Sequence, residues 1–232
     1  MHYMPLALPF FFMLFFLFVL LIILIEIGIL QYAYEKIGID RRHIFALLLL
    51  SLLGSYVNIP VAELPAEHIH SGQVITFYGM RYVIPMVKEW PRTIVAVNVG
   101  GAVVPVILSL YLLFKNRLYA RSFLAVGIVT AIVHLMAYPV QGVGIATPTF
   151  MPPLVATVAA ILLSRQYAPP LAYIGGSLGT LIGGDLMNLG KIQGLGAPVA
   201  AIGGAGTFDG IFVTGILAVL LAGMMPGRPR PS

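Results

Sequence analysis

Two aspartates stand in stretches too apolar and glycine-rich to be ordinary solvated loops. Asp185 lies in Gly183-Gly-Asp-Leu-Met-Asn188, and Asp209 ends Gly203-Gly-Ala-Gly-Thr-Phe-Asp209. A carboxylate at membrane depth costs from roughly 2.5 kcal/mol upward unless it is paired, neutral or hydrated, so such residues point to function. Two carboxylates held close together share one proton, which makes one a base and the other an acid. Asn58, Asn98, His134 and Asn188 recur at comparable depth in other apolar runs. Together with Asp185, Asp209, Gly204 and Gly206 they form a candidate substrate-binding set, with Asp185 and Asp209 as the catalytic pair if the protein is a hydrolase. Plainer roles stay open: the aspartates as wet helix caps, where a carboxylate meets the helix dipole favourably, and His134 as a hydrogen-bonded structural residue. Glu26, at the inner end of the first apolar run, is expected to snorkel or pair with a nearby base.

Other features carry weaker chemistry. Glu63, Glu67, His68 and His70 are zinc-type ligands, but their spacing matches no established site and Pro65 interrupts any helix through them. No metal is assigned there. The glycines at 203, 204 and 206 allow close backbone approach and could form an anion-binding nest. No Lys-Ser/Thr follows, so they are not a P-loop. Cysteine is absent, which removes disulfides, thiolate metal sites and cysteine nucleophiles. No cofactor is implied.

The elements that would position these residues follow from hydropathy. The chain has 232 residues, 59% of them hydrophobic and 9% charged. Soluble domains carry about 25% charged residues, so lipid is the expected main solvent. Spans of about 20 apolar residues are expected near 6–30, 44–60, 94–114, 122–139, 150–164, 171–189 and 207–225. The first is too long for a signal-peptide core and is taken as a retained span. With the 31–43 gap in the cytoplasm, nine Lys and Arg fall inside and four outside. That bias puts the N-terminus outside and the C-terminus in the cytoplasm of a cell-membrane protein. The predicted fold class is an all-α membrane protein, a bundle of about seven transmembrane helices, some interrupted by Gly or Pro. Residues 1–232 form a single polytopic domain, with an extracytoplasmic loop at 61–93 and a flexible tail at 226–232. The β-branched and aromatic runs around Tyr78-Gly79-Met80 suggest a short β-hairpin. Ala197–Gly206 is a candidate re-entrant segment. Gly175, Gly179 and Gly183 lie at i, i+4 and i+8 on one helical face, a stripe that lets a neighbouring helix approach.

The motifs Asn98-Val-Gly-Gly-Ala-Val-Val-Pro105, Gly142-Val-Gly-Ile-Ala-Thr-Pro148, Gly179-Thr-Leu-Ile-Gly-Gly-Asp-Leu-Met-Asn-Leu189 and Ile202-Gly-Gly-Ala-Gly-Thr-Phe-Asp-Gly-Ile-Phe212 resemble a prokaryotic membrane family, domain of unknown function 1614, from about Asn58 to Leu221. The resemblance implies a multi-pass protein of bacteria or archaea and brings no activity. Asp185 and Asp209 are also distantly similar to the dyad of the GxGD intramembrane aspartyl proteases, the presenilin and signal-peptide-peptidase group. Gly206-Thr-Phe-Asp209 departs from Gly-x-Gly-Asp, and no Pro-Ala-Leu follows the aspartates.

Binding or transport of a small solute or ion is the first function these residues suit, since it needs only a polar cavity within the bundle. Hydrolysis of a membrane peptide by Asp185 and Asp209 is the alternative, and a non-catalytic assembly subunit the third. The lipid bilayer is the expected partner and a homo-oligomer is left open. Nucleic acid is excluded: the net charge of +5 is spread over short gaps rather than over a recognition helix.

Overall fold

In the computed structural model of the chain, the described residues are 13–20, 22, 28–65, 68–77, 80–89, 92–140, 144–192, 199–204 and 210–224. Helix α1 is described over 13–20, so most of the expected first span, with Glu26, lies outside the described residues. Gly28 (φ 83°) and Gly38 (φ 90°) bracket α2, Ile29–Ile37. Both glycines take the left-handed conformation that a side chain disfavours. Helix α3 spans Arg41–Gly54. Strand β1 (Asn58–Leu64), the hairpin β2 (His68–Phe77) and β3 (Met80–Glu89), and β4 (Thr93–Asn98) follow. A π-helical turn, Val99–Val103, leads into α4, Val104–Asn116. Next come α5 (Tyr119–Met136), the short strands β5 (Tyr138–Val140) and β6 (Gly144–Ala146), α6 (Met151–Leu163) and α7 (Ala168–Thr180). Helix α7 runs on as a π-helical turn, Leu181–Asp185, and a 3-10 turn, Leu186–Lys191. Strand β7 (Val199–Ile202) and α8 (Gly210–Met224) complete the order.

The fold is mostly helical, but not all-α. Strands β1, β4 and β7 form one sheet in the order β1-β4-β7, with β1 antiparallel and β7 parallel to β4. This corrects two expectations. The runs 44–60 and 94–114 are not helical throughout: α3 stops at Gly54, and Thr93–Asn98 is a strand. The Ala197–Gly206 segment contains a strand paired with β4, Ile94 opposite Val199 and Val97 opposite Ile202. Strands in a parallel pair are commonly buried on both faces and read as continuous apolar runs. The expected hairpin is present and longer than foreseen, in register from Phe77 opposite Met80 to His68 opposite Glu89. Tyr78, Trp90, the side chains of 66–91 and residues 225–232 lie outside the described residues.

Helix α7 is the hub, buried nearly throughout from Ala168 to Thr180, with α5, α6, α8, α4 and α2 packed around it. The glycine stripe does what its spacing suggests. A Cβ on Gly175 would sit 3.1 Å from Ala125 Cβ, one on Gly179 would sit 2.6 Å from Val129 Cβ, and one on Gly183 would strike the Thr130 carbonyl. On the neighbouring face Gly176 meets Thr214 and Ala156. Among the described residues two helical runs are long and apolar enough to cross a membrane, Val99–Asn116 and Tyr119–Met136; Arg42–Gly54, Met151–Leu163 and Gly210–Met224 are apolar but shorter.

Candidate functional site

The polar residues gather where strands become helices. Strand β4 ends at Asn98, which is fully buried. Its Oδ1 accepts from the Gly101 amide at 2.8 Å and so caps the π-helical turn. Its Nδ2 donates to the Ser55 carbonyl at 2.7 Å and to Asn58 Oδ1 at 3.0 Å. Asn58 opens β1 directly opposite Asn98 in register. Ser51 Oγ donates to the Gly100 carbonyl at 3.1 Å. The backbone here leaves no room for side chains: a Cβ on Gly100 would strike the Ser51 carbonyl, and one on Gly101 the Gly203 carbonyl.

Strand β7 ends the same way. Gly203 and Gly204 follow Ile202 with φ of 90° and 85°, turning the chain away from the sheet. The Gly203 amide donates to Asp185 Oδ2 at 2.7 Å. A carboxylate accepting a backbone N–H makes a charge-assisted bond, roughly twice as strong as a neutral one. Asp185 closes the π-helical turn and is half-buried. π-Turns widen a helix by one residue and often mark functional positions. Three residues on, fully buried Asn188 uses Nδ2 on the Gly183 and Gly184 carbonyls, at 2.8 and 2.9 Å. Those carbonyls lie where α7 passes from a π-helical to a 3-10 turn. Lys191 Nζ completes the chain by donating to Asn188 Oδ1 at 2.8 Å.

The sequence-predicted residues therefore divide. Asn58 and Asn98 bond directly, and Asp185 joins their strand pair through Gly203, beside Gly204. Asn188 braces the turn that carries Asp185. His134 sits in the last turn of α5, whose Val133 lies 3.7 Å from where a Gly184 Cβ would be. Its Nδ1 is buried with no hydrogen-bond partner, and among the described residues no hydrogen bond joins it to Asp185. Gly206 and Asp209 lie outside the described residues, as does Glu67. Glu63 is exposed and faces Arg92 at 3.7 Å, an ion pair on the sheet edge. Sequence reasoning passed over Ser51, Ser55, Gly101 and Lys191. The recoverable signal was the pair of Gly-Gly steps, each following a β-branched or aliphatic run and each preceding a helix.

A half-buried carboxylate aimed by a backbone amide, next to a fully bonded asparagine, can accept a proton or hold a small cation. No curated protein and no solved structure matches the chain. The model of the family described as protein of unknown function (DUF1614) matches residues 52–221, which include every residue of this constellation except Ser51. The chain belongs to that family.

Proposed function

We propose that the protein crosses the membrane seven times and binds, and carries through the bilayer, a small solute or ion at the polar site around Asp185. The bilayer part of this proposal is supported by exposed side chains. Phe123 is 80% exposed, Leu135 83% and Leu162 81%. In the two long apolar helices only 44% and 22% of residues are buried, whereas a core helix of a water-soluble domain would be mostly covered. Apolar faces this large require lipid or another protein. The nine-to-four distribution of Lys and Arg favours placing the 31–43, 115–121 and 165–170 gaps in the cytoplasm, with the Asp185 end outside.

The observation that carries the functional part is the Asp185 to Gly203 bond at a helix interruption. Broken helices whose backbone and acidic groups meet at one point are the usual construction of a membrane binding site. Hydrolysis would need a second carboxylate at contact distance, and Asp209, which would supply it, lies outside the described residues; binding needs Asp185 and its neighbours alone. The test is current recorded from proteoliposomes on a solid-supported membrane under proton, Na+ or K+ jumps. Asp185→Asn keeps an acceptor for the Gly203 amide, so it is expected to fold normally and to abolish the current. A wild-type current in that variant would refute the proposal.

A further inference from the structure

Helix α3 meets the π-helical turn that leads into α4 at its Gly54 end. A Cβ on Gly54 would lie 3.0 Å from the Gly100 amide, and Ser51 bonds to Gly100 just beside it. A groove of about 460 Å3 lies between α3 and α4. Its walls are apolar: Ala46, Leu47 and Leu50 on α3, and Val104, Ile107 and Leu108 on α4. Its mouth, at the end farthest from Gly54, is polar: Asp40, His43, Tyr111 and Lys115. Lys115 Nζ bridges the mouth, donating to the Gly38 carbonyl at 2.6 Å and to the Tyr111 hydroxyl at 3.1 Å.

The charge at the mouth is unbalanced. Asp40, its one acid, pairs with Arg42 at 3.5 Å. Lys115 has no carboxylate partner among the described residues, and an ammonium has three N–H donors, of which two are used. Lys36, Arg117 and Arg121 lie on the same end of the bundle, at the termini of α2, α4 and α5. The groove is also the right length. Val104 and Lys115 are eleven helical steps apart, roughly 16 Å at 1.5 Å each, and one leaflet is about half of a ~30 Å hydrocarbon core.

We infer that the α3–α4 groove is a binding site for one anionic phospholipid, its acyl chain between the helices and its phosphate at Lys115 and His43. Basic pockets between helices on the cytoplasmic side suit anionic headgroups, and that is the side to which the basic asymmetry assigns this end. A second groove, between α5 and α6, supplies a contrast. It measures about 380 Å3 and is lined by residues such as Ile128, Leu154 and Val158, with no charged side chain. It can take an acyl chain without regard to headgroup. The inference rests on the membrane reading above, and its test separates the two.

The experiment is thermal unfolding and native mass spectrometry of the full chain, delipidated in neutral detergent, with phosphatidylglycerol or phosphatidylcholine added. Phosphatidylglycerol is expected to raise Tm and to remain bound as one copy; phosphatidylcholine is not. Lys115→Met should weaken phosphatidylglycerol binding about fivefold, the share of one near-surface lysine, while Lys115→Arg preserves it. Ala46→Trp, which fills the groove and leaves Lys115 in place, should abolish it. Equal effects of the two lipids, wild-type binding by Lys115→Met or Ala46→Trp, or the same Tm shift with inorganic phosphate alone would overturn the inference. A protein that partitions into water without detergent would overturn the membrane reading as well. One that stays in the membrane fraction but shows no headgroup preference would overturn the lipid site alone.

Discussion

Truncating Asn98 tests whether the strand-to-helix junction is held by its side chain. The structure gives Asn98 three bonds: Nδ2 to Ser55 O, Nδ2 to Asn58 Oδ1, and Oδ1 from Gly101 N. In Asn98→Ala the Gly101 amide and the Ser55 carbonyl, both in buried residues, lose these partners. Asn58 is exposed and is rehydrated at little cost. A buried polar group left unsatisfied costs about 1–3 kcal/mol, so two of them cost about 2–6 kcal/mol. For a chain of this size that lowers Tm by about 4–24 °C. Asn58→Ala, which removes only the exposed partner, should cost under about 1 kcal/mol. Asn98→Asp should fall between them, since it keeps an acceptor for Gly101 but sets a second oxygen against the Ser55 carbonyl. The assay is heat unfolding in one detergent, followed by circular dichroism. If Asn98→Ala and Asn58→Ala melt within a degree or two of each other, the side chain is not what holds the junction.

Other consequences are as direct. Gly183→Ala drives a methyl into the Thr130 backbone carbonyl, so it should destabilise by about 1–3 kcal/mol and resist rescue by side-chain truncation on α5; Gly179→Ala meets Val129 Cβ instead and should be partly rescued by Val129→Gly, as a double-mutant cycle of melting temperatures would reveal. Replacing 66–91 by a short Gly-Ser turn should leave Tm nearly unchanged, because β1 and β4 pair up to Leu64 and Thr93 without the hairpin and a shorter loop is slightly cheaper to close; a collapse in yield would show that the hairpin supports the bundle. Single cysteines at Lys191 and Lys115 should label from opposite faces of oriented vesicles, Lys191 from outside, and labelling from the same face would remove the proposed topology.

How much of this was legible in the sequence depends on what each segment's neighbours are. The α7 glycine stripe could be read because its period is internal to one helix, and its partner positions on α5 are small or β-branched: Ala125, Val129 and Thr130. The β2–β3 hairpin could be read because its turn interrupts two β-branched runs. Thr93–Asn98 and Val199–Ile202 could not, since each is a short apolar run beside a longer apolar helix, and β7 is a strand through pairing with β4 more than 100 residues away. Helix α2 was missed for a different reason. Gly28 and Gly38 mark its ends, but a nine-residue helix is too short to stand out beside longer apolar runs. Within the site, Asn98 and Asp185 announced themselves as polar residues in apolar surroundings. Their chief partners are backbone groups of Ser55, Gly101 and Gly203, which no residue type advertises.

The parallel pairing of β4 and β7 links the two halves of the constellation mechanically. Each strand feeds a helix through glycines, β4 into α4 through Gly100 and Gly101, and β7 toward α8 through Gly203 and Gly204. The Gly101 backbone packs against the Gly203 carbonyl, while the Gly203 amide is held by Asp185. Any change that weakens the Asp185 to Gly203 bond, such as protonation of the carboxylate or capture of a cation by it, therefore acts at a contact between the end of β7 and the turn that leads into α4. The contact has no side chain to cushion it: an alanine at either glycine would overlap backbone, since a Cβ on Gly203 would lie 2.6 Å from the Ala102 amide. In the proposed carrier, that tight junction is what would let a carboxylate at the end of α7 influence the entry to α4.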